Sequence, residues 1–126
     1  MIRADNNYIH SALTDLIIGC AYDVYNQLGF GFMEKVYENA MMIKLKQKGL
    51  EVIQQAPINV YFEDKLVGEY FADILVNNKV ILEFKAVSVL SKAHEVQLVN
   101  YLKATGIKVG LVINFGEKLK IVRRVF

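Results

Sequence analysis

A mixed α/β fold of the order α-α-β-β-β-α-β-β is what the sequence predicts, on three observations. Apolar residues recur at helical spacing over 11–28 and again over 33–48. Short runs rich in β-branched and aromatic residues follow between 51 and 87. One further helical stretch, 91–105, then separates these from two last apolar runs. With 126 residues, 1–126 is expected to be a single domain with one core.

Residues 1–8 are polar and expected to be loose. From Ile9 onward Leu13, Leu16, Ile17, Cys20, Val24 and Leu28 follow a helical period, so 11–28 is expected to be an amphipathic helix with one buried stripe. Gly29 and Gly31 end it. A second helix begins near Met33 and closes at Gly49, a residue suited to a left-handed C-terminal cap. Its expected core face carries Val36, Ala40 and Ile43, with Tyr37 and Leu45 as further candidates. Residues 51–62 form a strand that Pro57 marks as irregular or as an edge, because proline lacks the amide proton a central ladder needs. Glu63, Asp64 and Lys65 turn the chain into a strand at 66–76, and 79–87 completes an antiparallel meander. Ser91 is placed to cap the third helix and Gly106 to stop it. The last strands, 107–115 and 119–126, flank a turn at Gly116, Glu117 and Lys118.

Charge inside the apolar stretch 69–87 is what singles out a site. Side chains alternate along a strand, so Glu83 and Lys85 share one face with Ile81, while Val80, Leu82 and Phe84 fill the other. Asn77 and Asn78 signal a hairpin, since Asn tolerates a left-handed backbone. A two-residue loop would set Asp73 opposite Leu82. A three-residue loop over 77–79, or a bulge, sets Asp73 opposite Glu83 with both carboxylates on one face, and that is the expected register. Two ionised carboxylates that close repel, so one takes up a proton or both hold a cation. Oxygen ligands without Cys or His favour Mg²⁺ or Mn²⁺.

On the third helix Gln97 and Tyr101 lie four residues apart, with His94 one turn earlier, and this face can overlook the strand that feeds the helix. Its plain alternative is packing, with Tyr101 in the core and Gln97 and His94 at the rim. Glu34 and Glu38 sit one turn apart on the second helix, where acids near an N-terminus are favoured by the dipole without further purpose.

Composition narrows the class. At 54% hydrophobic and 22% charged the chain is globular rather than disordered. A single Cys fits a reducing compartment. Neither a signal peptide nor an apolar run of membrane-spanning length is seen, so the expected setting is cytoplasmic with no membrane partner. A net charge of +2 does not by itself announce nucleic acid. Lys44, Lys46 and Lys48 complement a helix dipole, and Lys118, Lys120, Arg123 and Arg124 guard an edge strand, more readily than either set contacts phosphate.

Several motifs agree in order. Gly31-Phe32-Met33-Glu34-Lys35-Val36-Tyr37 reads G-x-x-E-x-x-Y. Downstream stand Gln55, Asp73, Glu83-Phe84-Lys85, Gln97 to Lys103 as QLVNYLK, and Gly110 to Gly116 as GLVINFG. From about Thr14 onward the chain resembles the GxxExxY family of PD-(D/E)XK-like proteins. The Gln97-x-x-x-Tyr101 pair is similar to the helix motif of RecB-type nucleases. One departure is Tyr25, after Val24, where His is expected in relatives.

The resemblance implies a restriction-endonuclease-like core, a mixed sheet flanked by helices. It implies Asp73, Glu83 and Glu34 around Mg²⁺ or Mn²⁺, with Lys85, Glu34, Gln97 and Tyr101 as catalytic residues. The expected function is a metal-dependent nuclease hydrolysing phosphodiester bonds, on DNA in preference to RNA, acting as a homodimer or with a protein partner where it is selective. The alternatives are a binding module on the same fold with negligible turnover, and a structural or self-associating protein.

Overall fold

The computed structural model describes residues 9–126. The expectation that 1–8 are loose falls outside the described residues. The element order is the expected one: α1 (Ser11–Leu28), α2 (Glu34–Gln47), β1 (Val52–Phe62), β2 (Lys65–Val76), β3 (Val80–Lys85), α3 (Lys92–Thr105), β4 (Val109–Phe115) and β5 (Leu119–Val125).

The strands form one mixed sheet in the order β1-β2-β3-β4-β5. All neighbours are antiparallel except β3 and β4, which run parallel from Val80↔Val109 to Lys85↔Asn114. A parallel pair needs a crossover, and α3 is that crossover. β1, carrying the exposed Pro57, is an edge strand as expected.

Alternation on β3 divides the core into two layers. Val80, Leu82 and Phe84 pack with Val109, Leu111, Ile113 and Phe115 beneath α1 and α2. Ile81 and Val112 point the other way, onto Leu98 and Leu102 of α3. β4 is buried at every position, as befits a central strand covered on both faces. Gly110 is where α3 comes closest, for a Cβ there would stand 2.5 Å from Leu98 Cδ1.

The expected core face of α2 is corrected. Tyr37, Met41 and Leu45 are fully buried, while Ile43 is 59% and Val36 38% exposed. Both stripes are apolar, and the aromatic decides between them: Tyr37 stacks on Phe115 with ring centroids 4.4 Å apart and an interplanar angle of 5°. Its hydroxyl donates to Gly29 O at 2.7 Å and accepts from Phe32 N–H at 3.3 Å. Gly31, at φ 112, supplies a backbone conformation other residues avoid. The Gly and Tyr of G-x-x-E-x-x-Y therefore fix the α1–α2 turn and the pitch of α2.

At the far edge, Arg123 donates to Thr14 Oγ1 at 3.1 Å and Ile9 O at 2.6 Å, and Arg124 pairs with Glu95. These two cations tie β5 to α1 and α3, in line with their structural reading.

Candidate active site

The β2–β3 hairpin carries the site, and its loop is the three-residue one. Val76 pairs with Val80, so Asn77, Asn78 and Lys79 make the turn, with φ of 51 and 54 at the two asparagines. Ladder pairing stops at Ile74↔Leu82, and the next opposed positions are Asp73 and Glu83. There the carboxylates replace backbone carbonyls as acceptors. Asp73 N–H donates to Glu83 Oε2 at 2.7 Å, and Phe84 N–H donates to Asp73 Oδ2 at 2.8 Å. The two acids thus clasp a fork in the sheet, each spending one oxygen on the opposite strand; the second oxygen of Glu83 is left for a further ligand, while that of Asp73 faces Gln55 Nε2 at 3.4 Å.

Such an acid pair is electrostatically loaded. Burial first, and then the charge of Asp73, push the Glu83 carboxyl up to about 8, while the N–H of Asp73 and the charge of Lys85 pull against that rise. Asp73 is also raised, chiefly by burial, against the Phe84 N–H that favours its ionised form. Lys85 is half-buried at the end of β3 and acts on both acids by charge.

A third acid is linked to this centre through Gln55, and it is Glu38 rather than Glu34. Glu34 lies exposed in the first turn of α2. Glu38 is 4% exposed and accepts from Gln54 Nε2 at 2.6 Å, from Gln55 Nε2 at 3.1 Å and from Lys35 Nζ at 2.9 Å. Gln55 also approaches Asp73 Oδ1 at 3.4 Å, so one amide bridges the helix acid and the strand acid. To do so Gln55 adopts φ 54 in mid-strand, a conformation that costs a non-glycine residue roughly 1–2 kcal/mol. In the sequence Glu38 has a sufficient explanation as a dipole partner, and Gln55 stands only as one residue of a motif. The one available signal was an acid directly after the buried Tyr37.

Gln97 and Tyr101 come together as expected, Gln97 Nε2 donating to the Tyr101 hydroxyl at 2.9 Å. Tyr101 is buried, and desolvation followed by the charges of Glu83 and Asp73 raises its hydroxyl to about 12, so it stays protonated beside the acids. His94 takes a rim role, accepting from Ser91 N–H at 3.4 Å across the first turn of α3. Behind Lys85, the Asn114 amide closes a two-bond ring with Val87, accepting its N–H at 3.0 Å and donating to its carbonyl at 2.9 Å. This ring fixes the exit of β3 and hence the base of Lys85.

Among the described residues no three His, Cys, Asp or Glu side chains form a ready-made metal cage. The donor set nevertheless fits a hard dication, because Mg²⁺ is usually held by one or two carboxylates with water and substrate oxygens completing its shell. Asp73 and Glu83 offer such a pair, and repulsion between them is relieved by a cation.

A family model described as PD-(D/E)XK nuclease superfamily matches residues 11–125. No curated protein matches the chain with significance. Among solved structures, one described as "Crystal structure of SSO0001" is similar over 95% of this chain, with a TM-score of 0.58 and 16% identity. At that identity the likeness concerns the fold, and the chain spans 61% of that structure's length. The mixed five-stranded sheet flanked by helices is the restriction-endonuclease-like core the sequence led us to expect.

Proposed function

The chain belongs to the PD-(D/E)XK nuclease superfamily, and from that premise we propose that it is a metal-dependent nuclease that hydrolyses phosphodiester bonds, on DNA in preference to RNA. The observation that carries this reading is the Asp73–Glu83 clasp with Lys85 two residues on along β3. Asp73 and Glu83 would hold Mg²⁺ or Mn²⁺, with Glu38, rather than the expected Glu34, as the third carboxylate nearby, joined to Asp73 by the Gln55 amide. When bound, such a dication lowers the pKa of a bound water and neutralises charge on the scissile phosphate.

The protein's own groups do the rest. Lys85 orients the attacking water and offsets charge that builds on the phosphoryl oxygens, in a half-buried setting where a cation acts more strongly than in bulk water. Tyr101, protonated and fixed by Gln97, donates a hydrogen bond toward the substrate backbone or the water. Placement in the GxxExxY group rests on Gly31 to Tyr37, whose structural part is the turn and the Tyr37–Phe115 stack.

A second reading, a nucleic-acid-binding module with negligible turnover, is favoured by the modest net charge of +2. Cleavage of labelled DNA and RNA by wild type and Lys85→Ala separates the two. The nuclease reading expects metal-dependent cleavage that falls at least about a hundredfold in the variant. Binding without cleavage in either protein would replace it with the module.

A further inference from the structure

β1 and β2 run on beyond the fork. From Ala56↔Ala72 to Phe62↔Lys65 they pair only with each other, as a two-stranded ribbon. α3 lies along that ribbon, and between them opens a groove of about 1180 Å³ whose lining includes Tyr61, Tyr70, His94, Gln97, Tyr101 and Lys103.

Three properties define what the groove accepts. It borders the acid pair, since Gln97 and Tyr101, joined by a hydrogen bond, line it and the charges of Glu83 and Asp73 act on the Tyr101 hydroxyl. It presents aromatic faces: Tyr70 is 47% and Tyr61 61% exposed, and the Tyr70 ring sits 5.7 Å from that of Tyr101 at a 45° tilt. Gly68 makes room for this, because a Cβ there would lie 3.1 Å from the edge of the Tyr70 ring. Its charge is one-sided as well. The lining carries Lys103 and His94 and no Asp or Glu, in a chain with 13 acids.

An occupant with flat apolar rings strung on an anionic backbone matches all three. Duplex nucleic acid does not, because its base faces are hidden in the stack and its dense phosphates would meet a single lysine. An unpaired strand shows both its bases and its phosphates, and stacking on aromatic side chains is how such strands are held without regard to sequence. We infer that the ribbon–α3 groove binds a single-stranded segment of nucleic acid, with bases on Tyr70 and Tyr61 and the backbone passing Lys103 toward Asp73 and Glu83. That the strand is delivered for cleavage rests on the nuclease reading; that it binds does not.

The test is anisotropy with labelled oligo-dT, oligo-dA and a blunt duplex, using the full chain in EDTA so that cleavage cannot intervene. Wild type is expected to bind the single strands more tightly than the duplex. Tyr70→Ala and Tyr61→Ala should each weaken single-strand binding about tenfold or more, and Tyr70→Phe should restore it. Lys103→Glu, at an exposed helix position, should weaken it without touching the ribbon. Equal affinity for duplex, or alanine variants that bind as wild type does, overturns the inference. So does a wild-type dimer that the alanine variants dissociate, which would make the groove an interface between copies. Cleavage assays in Mn²⁺ on the same proteins keep the two readings apart. Single-strand binding through the tyrosines without cleavage of any substrate supports the groove and removes the nuclease. Duplex cleavage indifferent to the tyrosines does the reverse.

Discussion

Glu83→Gln should stabilise the metal-free protein, in a manner that depends on pH. Burial and the charge of Asp73 raise the Glu83 carboxyl from 4.5 to about 8 in the folded state. Below pH 4.5 the group is protonated both folded and unfolded, and it costs nothing. Between 4.5 and about 8 the unfolded chain has released this proton while the folded chain retains it, so stability falls as pH rises. Above about 8 the full cost is present. At about 1.4 kcal/mol per pKa unit, the ceiling is on the order of 5 kcal/mol. Glutamine keeps the acceptor for the Asp73 N–H and removes the charge. Urea unfolding of both proteins in EDTA from pH 4 to 8.5 should show coincident curves at the acid end. The variant should gain at least about 2 kcal/mol at the alkaline end. A variant that is equal to or less stable than wild type at pH 8.5, or a gap that does not change with pH, would refute the reasoning.

Three further outcomes are expected. Gln55→Gly relieves the left-handed strain at φ 54 but deletes the bridge between Glu38 and Asp73; stability should stay within about 1 kcal/mol while Mn²⁺ affinity by calorimetry drops about tenfold or more. Gly110→Ala drives a Cβ to 2.5 Å from Leu98 Cδ1 in a fully buried layer, and thermal unfolding should report a loss of about 1–3 kcal/mol, partly recovered by adding Leu98→Ala. Asn114→Ala leaves the Val87 N–H and carbonyl without their partner, so stability should fall by about 2 kcal/mol and amide exchange at Val87 should accelerate.

Much of this arrangement is legible from residue order. Asn77 and Asn78 place the hairpin but leave two registers, because a one-residue change in loop length moves Asp73 to the other face; setting both acids on one face selects the three-residue loop, the one the structure has. The two-layer division of Val80, Leu82 and Phe84 from Ile81 follows from the same period. The core stripe of α2 is only partly legible: Tyr37, Leu45 and Ala40, all among the expected residues, do pack on the core, but Val36 and Ile43 turn outward and Met41 inward, because the surface of β4, through Phe115, seats Tyr37. Glu38 was hidden for a related reason. An acid early in a helix has a sufficient local explanation, and its actual partners, Gln54 and Gln55, lie 16 and 17 residues away on a strand. The left-handed Gln55 cannot be read from a residue type that rarely adopts it.

On the proposed function, Asp73 and Glu83 hold a divalent cation with help from Glu38. Calorimetric titration of Mg²⁺ and Mn²⁺ into wild type, Asp73→Ala/Glu83→Ala, Glu38→Ala and Glu34→Ala at pH 8 addresses it most directly. Wild type should show one site, the double variant no heat of binding, Glu38→Ala weakened binding and Glu34→Ala wild-type binding. Absence of binding to wild type at millimolar metal, or binding that survives loss of both strand acids, would contradict that function.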